Sequence, residues 1–269
     1  MNKILQKYRY SAILLRQLVI TDFKLRYQGS FLGYLWSLLR PLAIFLILYV
    51  VFVRFLKVGA DVPHFPVYLL LGIVIWNYFA EVTNNGVKAV VDRGDVLRKI
   101  NFPKYVVVLS GSLSALINLA INLIVVGVFM ALNGADTQVG LLIFVPLLIG
   151  ELFIFALSAA FLLSSMFVRF RDVNYIWEVI MQGAFYATPI LYPLTPYVPA
   201  TLQSIVLMNP IAQIIQDLRF ILITDQTQTI AAVCGSEWAR LIPLAIVATV
   251  ALVSAAYFKK RSPYFAEDI

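Results

Sequence analysis

Apolar residues fall in long runs broken by short polar stretches, and the lengths of those runs predict the architecture. A helix needs roughly 20 mainly apolar residues to cross a hydrocarbon layer of about 30 Å. Six such runs are legible, at about Trp36–Leu56, Pro66–Gly86, Tyr105–Leu132, Gly140–Val168, Val173–Tyr192 and Ala239–Phe258. The pattern predicts an all-α integral membrane protein with six transmembrane helices. Residues 1–269 read as a single transmembrane domain.

Two stretches depart from that pattern. Residues 4–28 carry Arg9, Arg16, Asp22, Lys24 and Arg26, too many charges for a span. Yet Tyr8, Ala12, Leu15, Val19, Phe23 and Tyr27 recur at helical spacing, with Gln17, Thr21 and Lys24 opposite. That is the signature of an amphipathic helix at a membrane interface. In 193–237, Pro193, Pro196, Pro199 and Pro210 forbid one long span. The apolar pieces 200–208 and 211–223 read as short helices at the outer surface, or as segments dipping back where protein shields their backbone.

Charge orients the chain. With both termini in the cytoplasm, 17 of the 21 Lys and Arg residues fall on the inner side. They concentrate before the first span, in the loop 87–104, at Arg169 and Arg171, and at Lys259–Arg261. The outer side holds only Arg54, Lys57, Arg219 and Arg240. Positive residues favour the cytoplasmic face.

Composition then excludes classes. Hydrophobic residues make up 61% of the chain and charged ones only 13%, which rules out a soluble globular enzyme of this size. The net charge of +7 belongs to inner loops and gives no reason to expect nucleic acid. Cys234 is the only cysteine and His64 the only histidine, so no thiolate metal cluster or multi-histidine metal site is possible, and His64, placed near an outer loop, is not expected to serve a Ser-His-Asp set. There is no G-x-x-x-x-G-K-[ST] loop, hence no P-loop nucleotide site in this chain.

Polar residues inside the spans are the remaining candidates. Glu81, Glu151 and Glu178 are intramembrane acids, costly there and so candidates for a role. Ser110, Ser114, Asn118 and Asn122 repeat every four residues and share one helix face. Such a stripe suits interhelical hydrogen bonding more than a hydrophilic pathway. Trp36, Trp76, Tyr78, Phe79, Tyr186 and Tyr192 lie near span ends, where aromatic belts form. With Tyr34, they are also candidates for a surface on which sugars stack.

Several segments in order resemble one family. The run Gly29-Ser30-Phe31-Leu32-Gly33-Tyr34-Leu35-Trp36-Ser37-Leu38-Leu39-Arg40-Pro41 is similar to the approach to the first span of ABC-2 type permeases that export polysaccharides. Phe65-Pro66-Val67-Tyr68-Leu69-Leu70-Leu71-Gly72, Leu97-Arg98-Lys99-Ile100-Asn101-Phe102-Pro103, Phe170-Arg171-Asp172, Thr188-Pro189-Ile190-Leu191-Tyr192-Pro193 and Asn209-Pro210 resemble later landmarks of the same family. Thr188 stands where Ser is common, and Arg40 where Asn is common.

The resemblance implies a transport subunit and not an enzyme, in a bacterial inner membrane. Two copies would pair with two separate ATPase subunits, which bind the ATP and magnesium. The cargo would be an O-antigen, capsular or teichoic-acid polymer on undecaprenyl diphosphate. By the same analogy, the loop 87–104 is a coupling helix. Asp92, Arg93, Asp95, Arg98 and Lys99 would touch the ATPase, with Phe170, Arg171 and Asp172 bracing the fourth and fifth spans. Lys24, Arg26 and Arg40 would attract the lipid diphosphate, and the region 193–237 would form an outer gate. The alternatives are an ion-coupled secondary carrier, which needs two broken-helix repeats, and a membrane-embedded glycan or phosphate transferase.

Overall fold

The computed structural model describes residues 3–27, 33–94 and 103–268. Its long helices are α1 (Lys3–Tyr27), α2 (Trp36–Leu48), α3 (Phe65–Ala89), α4 (Tyr105–Asn133), α5 (Val145–Arg169), α6 (Val173–Ala187), α7 (Ala200–Leu207), α8 (Pro210–Leu222) and α9 (Leu241–Arg261). The helix α2 runs on through a π-helical stretch, Tyr49–Phe55.

Among the described residues, five helical segments are long and apolar enough to cross a membrane, or six if the bent pair α7–α8 counts as one. This departs from the expected spans at one place. The run Val173–Tyr192 is helical only to Ala187. Its 15 residues are about 22 Å long at 1.5 Å per residue. Thr188 turns extended ahead of Pro189, because a residue before proline is driven out of the helical region. The chain then bends by 101° between α7 and α8 at Asn209-Pro210. Proline cannot continue α7, but it suits the first turn of α8, where the Asn209 side chain accepts from the Ile211 N–H at 3.1 Å.

The helix α3 is the axis of the bundle. Of its most apolar stretch 78% is buried, against 6% for Trp36–Phe55, which lies at the periphery. It packs along α4 and α5, while α9 covers the other side of α5 and α1 lies on α4. Contact between α3 and α5 is close because Gly86 has no side chain: a Cβ there would lie 2.5 Å from that of Ala160.

The helix α8 enters the bundle rather than lying on its surface. Every residue from Pro210 to Arg219 is buried, against α5, α3 and α9. Its last carbonyls, at Ile221, Leu222 and Ile223, accept from Gln138 N–H, the Thr137 hydroxyl and Asp136 N–H. That satisfies the free C-terminal acceptors every helix leaves.

For α1 the protein-facing side overlaps the expected apolar stripe in part: Leu15 and Val19 are half-buried, but so are Leu14, Leu18, Thr21 and Asp22, while Ser11 is buried and Ala12 exposed. The helix is turned so that Asp22 reaches Arg93 and Ser110.

Candidate functional site

Polar positions on α3 gather on one face. Asn77, Glu81, Asn84, Asn85 and Lys88, with Asp92 just beyond the helix, follow each other at helical spacing. The opposite face is core, including Tyr68, Ile75, Phe79 and Val82. One helix therefore separates a dry interior from a wet groove.

Three cavities of about 720, 530 and 430 Å³ line that groove and meet at Asn84, which borders all of them. The largest lies between α2, α3 and α4, and it adds Asn118, Asn122 and Arg40 to the α3 stripe. The smallest lies between α3 and α6, at Glu178, Gln182 and Tyr186. The third opens toward the end of the bundle that carries α1's Asp22, with Lys88, Asp92 and Asn174.

The groove wall is tied together by hydrogen bonds from the α4 stripe. Ser110 donates to Asp22 of α1 at 3.3 Å. Asn118 donates to Glu81 of α3 at 3.1 Å, and Asn122 to the Ser37 carbonyl of α2 at 3.3 Å. The four-residue repeat thus packs three helices and also wets the groove. Ser114 is buried, and its hydroxyl has no hydrogen-bond partner among the described residues.

The candidate residues divide by location. Trp36, half-exposed, borders the largest cavity, and Tyr186, 68% exposed, borders the smallest. Tyr192 sits by Tyr186, donating its hydroxyl to the Tyr186 carbonyl at 2.9 Å. Trp76 and Tyr78 are buried, Trp76 lining the smallest cavity and Tyr78 the largest. Phe79 is a core residue instead, stacked on Phe155 at 5.4 Å with Trp177 beside it, so its faces are taken.

Of the acids, Glu81 and Glu178 both belong to the groove, and Glu178 accepts from Asn174 at 2.7 Å. Glu151 does not: its Oε1 is buried without a hydrogen-bond partner among the described residues, in the neighbourhood of Asp217. Arg40 and Lys24 are exposed, Arg40 at the groove edge.

Among the coupling candidates, Asp92, Phe170, Arg171 and Asp172 are exposed at one end of the bundle. There Val87, Leu163, Phe167 and Val173 pack together, and Arg171 lies 5.1 Å from the Phe167 ring. Arg93 turns inward and pairs with Asp22 of α1. Asp95, Arg98 and Lys99, and the side chains of Arg26 and Tyr34, lie outside the described residues.

Two features escaped the sequence reading. The asparagines 77, 84 and 85 carry no charge and sit in an apolar run, but their spacing with Glu81 and Lys88 was a usable signal. The other is Arg219, which is fully buried. It donates to the carbonyls of Tyr68, Pro189 and Ile190 at 3.0, 2.6 and 2.8 Å, and to Gln216 Oε1 at 2.9 Å. It fastens the end of α6 to α3 and α8.

An amide-rich groove offers donors and acceptors in equal measure with little net charge. Such a surface suits a hydroxylated ligand that forms many weak contacts. The ABC-2 type transporter family profile matches residues 13–223. The O-antigen export system permease protein RfbA of Myxococcus xanthus is 29% identical over 267 residues, 97% of this chain and 97% of its own length. A protein of the same name from Klebsiella pneumoniae is 30% identical over 80% of this chain and 83% of its own. The polysialic acid transport protein KpsM of Escherichia coli is 24% identical over 78% of this chain and 80% of its own.

Proposed function

The chain belongs to the ABC-2 type transporter family, and from that membership we propose that it is the membrane permease of an ATP-driven exporter of a lipid-linked polysaccharide. The observation that carries the reading is the groove along α3, where Asn77, Glu81, Asn84, Asn85, Asn118 and Asn122 are gathered in an otherwise apolar bundle. Amide side chains can exchange hydrogen bonds with successive sugar hydroxyls. A moving polymer needs sites that hold weakly and repeat, since a tight site would stall it.

The groove is open on one side, so a closed conduit needs a second copy. The lipid-facing surfaces beside it, on α2 and at Tyr175, Ile176 and Val179 of α6, are free to receive one. Asp92, Phe170, Arg171 and Asp172 supply a docking face for two ATPase subunits, which bring ATP and magnesium. Arg93, held by Asp22, passes the push from that face to α1. This end faces the cytoplasm by the distribution of basic residues. Arg40, beside Trp36 at the groove edge, is placed to meet the diphosphate of the carrier lipid.

The test is reconstitution. The permease is co-expressed with its ATPase in cells that make the polymer but lack an exporter. Surface polymer that appears with the pair, and not with an ATPase unable to hydrolyse ATP, supports the reading. Surface polymer independent of the ATPase refutes it.

A further inference from the structure

A separate cavity, of about 460 Å³, lies away from the groove, between α4, α5 and α9. Tyr105, Phe161, Ala255 and Phe258 form its apolar walls, and Phe161 meets Phe258 edge-on at 4.8 Å. Lys104 and Lys259 stand at its mouth. The Lys104 ammonium is fixed there: it donates to the carbonyls of Ser262 and Pro263 and lies 5.9 Å from the Phe265 ring centroid. Those partners are neutral. Burial lowers the Lys104 pKa from the ordinary lysine value, and the nearby Glu267 opposes that only in part. Its direct hydrogen-bond acceptors carry no charge, and Lys259, exposed, adds a second cation at the same mouth.

Dry walls do not attract a small hydrated anion, and paired ammonium groups do not select a neutral chain. Both together select an amphiphile with a negative head. The cavity is too small for a partner helix, whose side chains span roughly 10–12 Å. We propose that it binds an anionic phospholipid, with one acyl chain against Phe161, Ala255 and Phe258 and the phosphate between Lys104 and Lys259. Opposite charges at the edge of a low-dielectric region attract more strongly than in bulk water. None of these residues takes part in the polysaccharide reading, so the two stand or fall separately.

The full-length protein is purified in neutral detergent with added phosphatidylglycerol or phosphatidylcholine, and bound lipid is counted by native mass spectrometry. Wild type is expected to retain phosphatidylglycerol about thirtyfold more than phosphatidylcholine, the scale of a two-lysine contact. The double variant Lys104→Gln, Lys259→Gln loses that preference. Ala255→Phe fills the cavity, keeps both charges, and also lowers phosphatidylglycerol retention. Circular dichroism of each variant in the same detergent checks folding. Inorganic phosphate at millimolar concentration leaves the lipid bound. Equal retention of the two lipids by wild type, or unchanged retention in both folded variants, overturns the proposal, as does displacement by phosphate alone.

Discussion

The guanidinium of Arg219 lies over the ring of Tyr68, 3.5 Å from its centroid, while its Nε donates to the Tyr68 carbonyl at 3.0 Å. The same side chain holds the carbonyls of Pro189 and Ile190. No ion pair with a carboxylate is recorded for it among the described residues, so four neutral acceptors and one aromatic face carry the charge. The planar fork of an arginine can meet several acceptors at once, which an ammonium cannot. Arg219 therefore joins the first turn of α3, the break after α6 and the inserted helix α8.

Replacing Arg219 by Leu is expected to leave those acceptors buried and unpaired. Each such group costs about 1–3 kcal/mol, so the loss is several kcal/mol and the melting temperature in detergent falls by many degrees. Arg219→Lys recovers only part. A melting temperature equal to wild type in Arg219→Leu would show that water or rearrangement satisfies the loop.

Gly72 makes room for this arginine. A Cβ at that position would lie 2.5 Å from Arg219 Nη2. Gly72→Ala is expected to cost about 1–3 kcal/mol by overpacking. Gly183→Ala meets open space and serves as the neutral control. Thermal melts of the two variants side by side check the contrast.

Asp22 and Arg93 link α1 to the end of α3, both partly buried. Single changes to Ala at either site are expected to impair export, and the double change to add little more. Transport rates of the four proteins form the cycle that tests it. Fully additive losses would mean that the two residues act apart, with Arg93 free to serve another contact.

Glu151 Oε1, Asp217 Oδ1 and Gln213 Oε1 are buried acceptors without donors among the described residues, and the two acids are close enough to repel. Glu151→Gln removes one charge and supplies donors. It is expected to leave the protein as stable as wild type or more so, with export retained. Loss of export without loss of stability would give Glu151 a part in transport that the groove does not explain.

The order and approximate limits of most helices were legible because lipid imposes a length on any apolar run. The shortness of α6 was less so: Thr188-Pro189 marks a break, but only the contacts of Arg219 make that break stable against α3 and α8. Arg219 was readable as an isolated cation among Gln213, Gln216 and Asp217, yet a one-dimensional count assigns it to an outer loop. The groove was half legible. Glu81 and the Asn118–Asn122 stripe stood out, whereas Asn77, Asn84 and Asn85 became a surface only when α2, α4 and α6 left that face of α3 open. Aromatic rings were the least legible, since Phe79 and Trp36 look alike in sequence and differ entirely in burial.

The central claim is that the polymer travels along the α3 groove. Photocrosslinking residues introduced one at a time at Asn77, Asn84, Asn85 and Asn118 test it in a permease–ATPase complex turning over ATP with radiolabelled lipid-linked glycan. Ile124, Ile143 and Leu252, each more than two-thirds exposed on the outer surface of the bundle, are the comparison positions. The account predicts glycan adducts at the asparagine positions that depend on ATP, and none at the three comparison sites. Equal labelling of both sets, or adducts confined to the comparison sites, would contradict it.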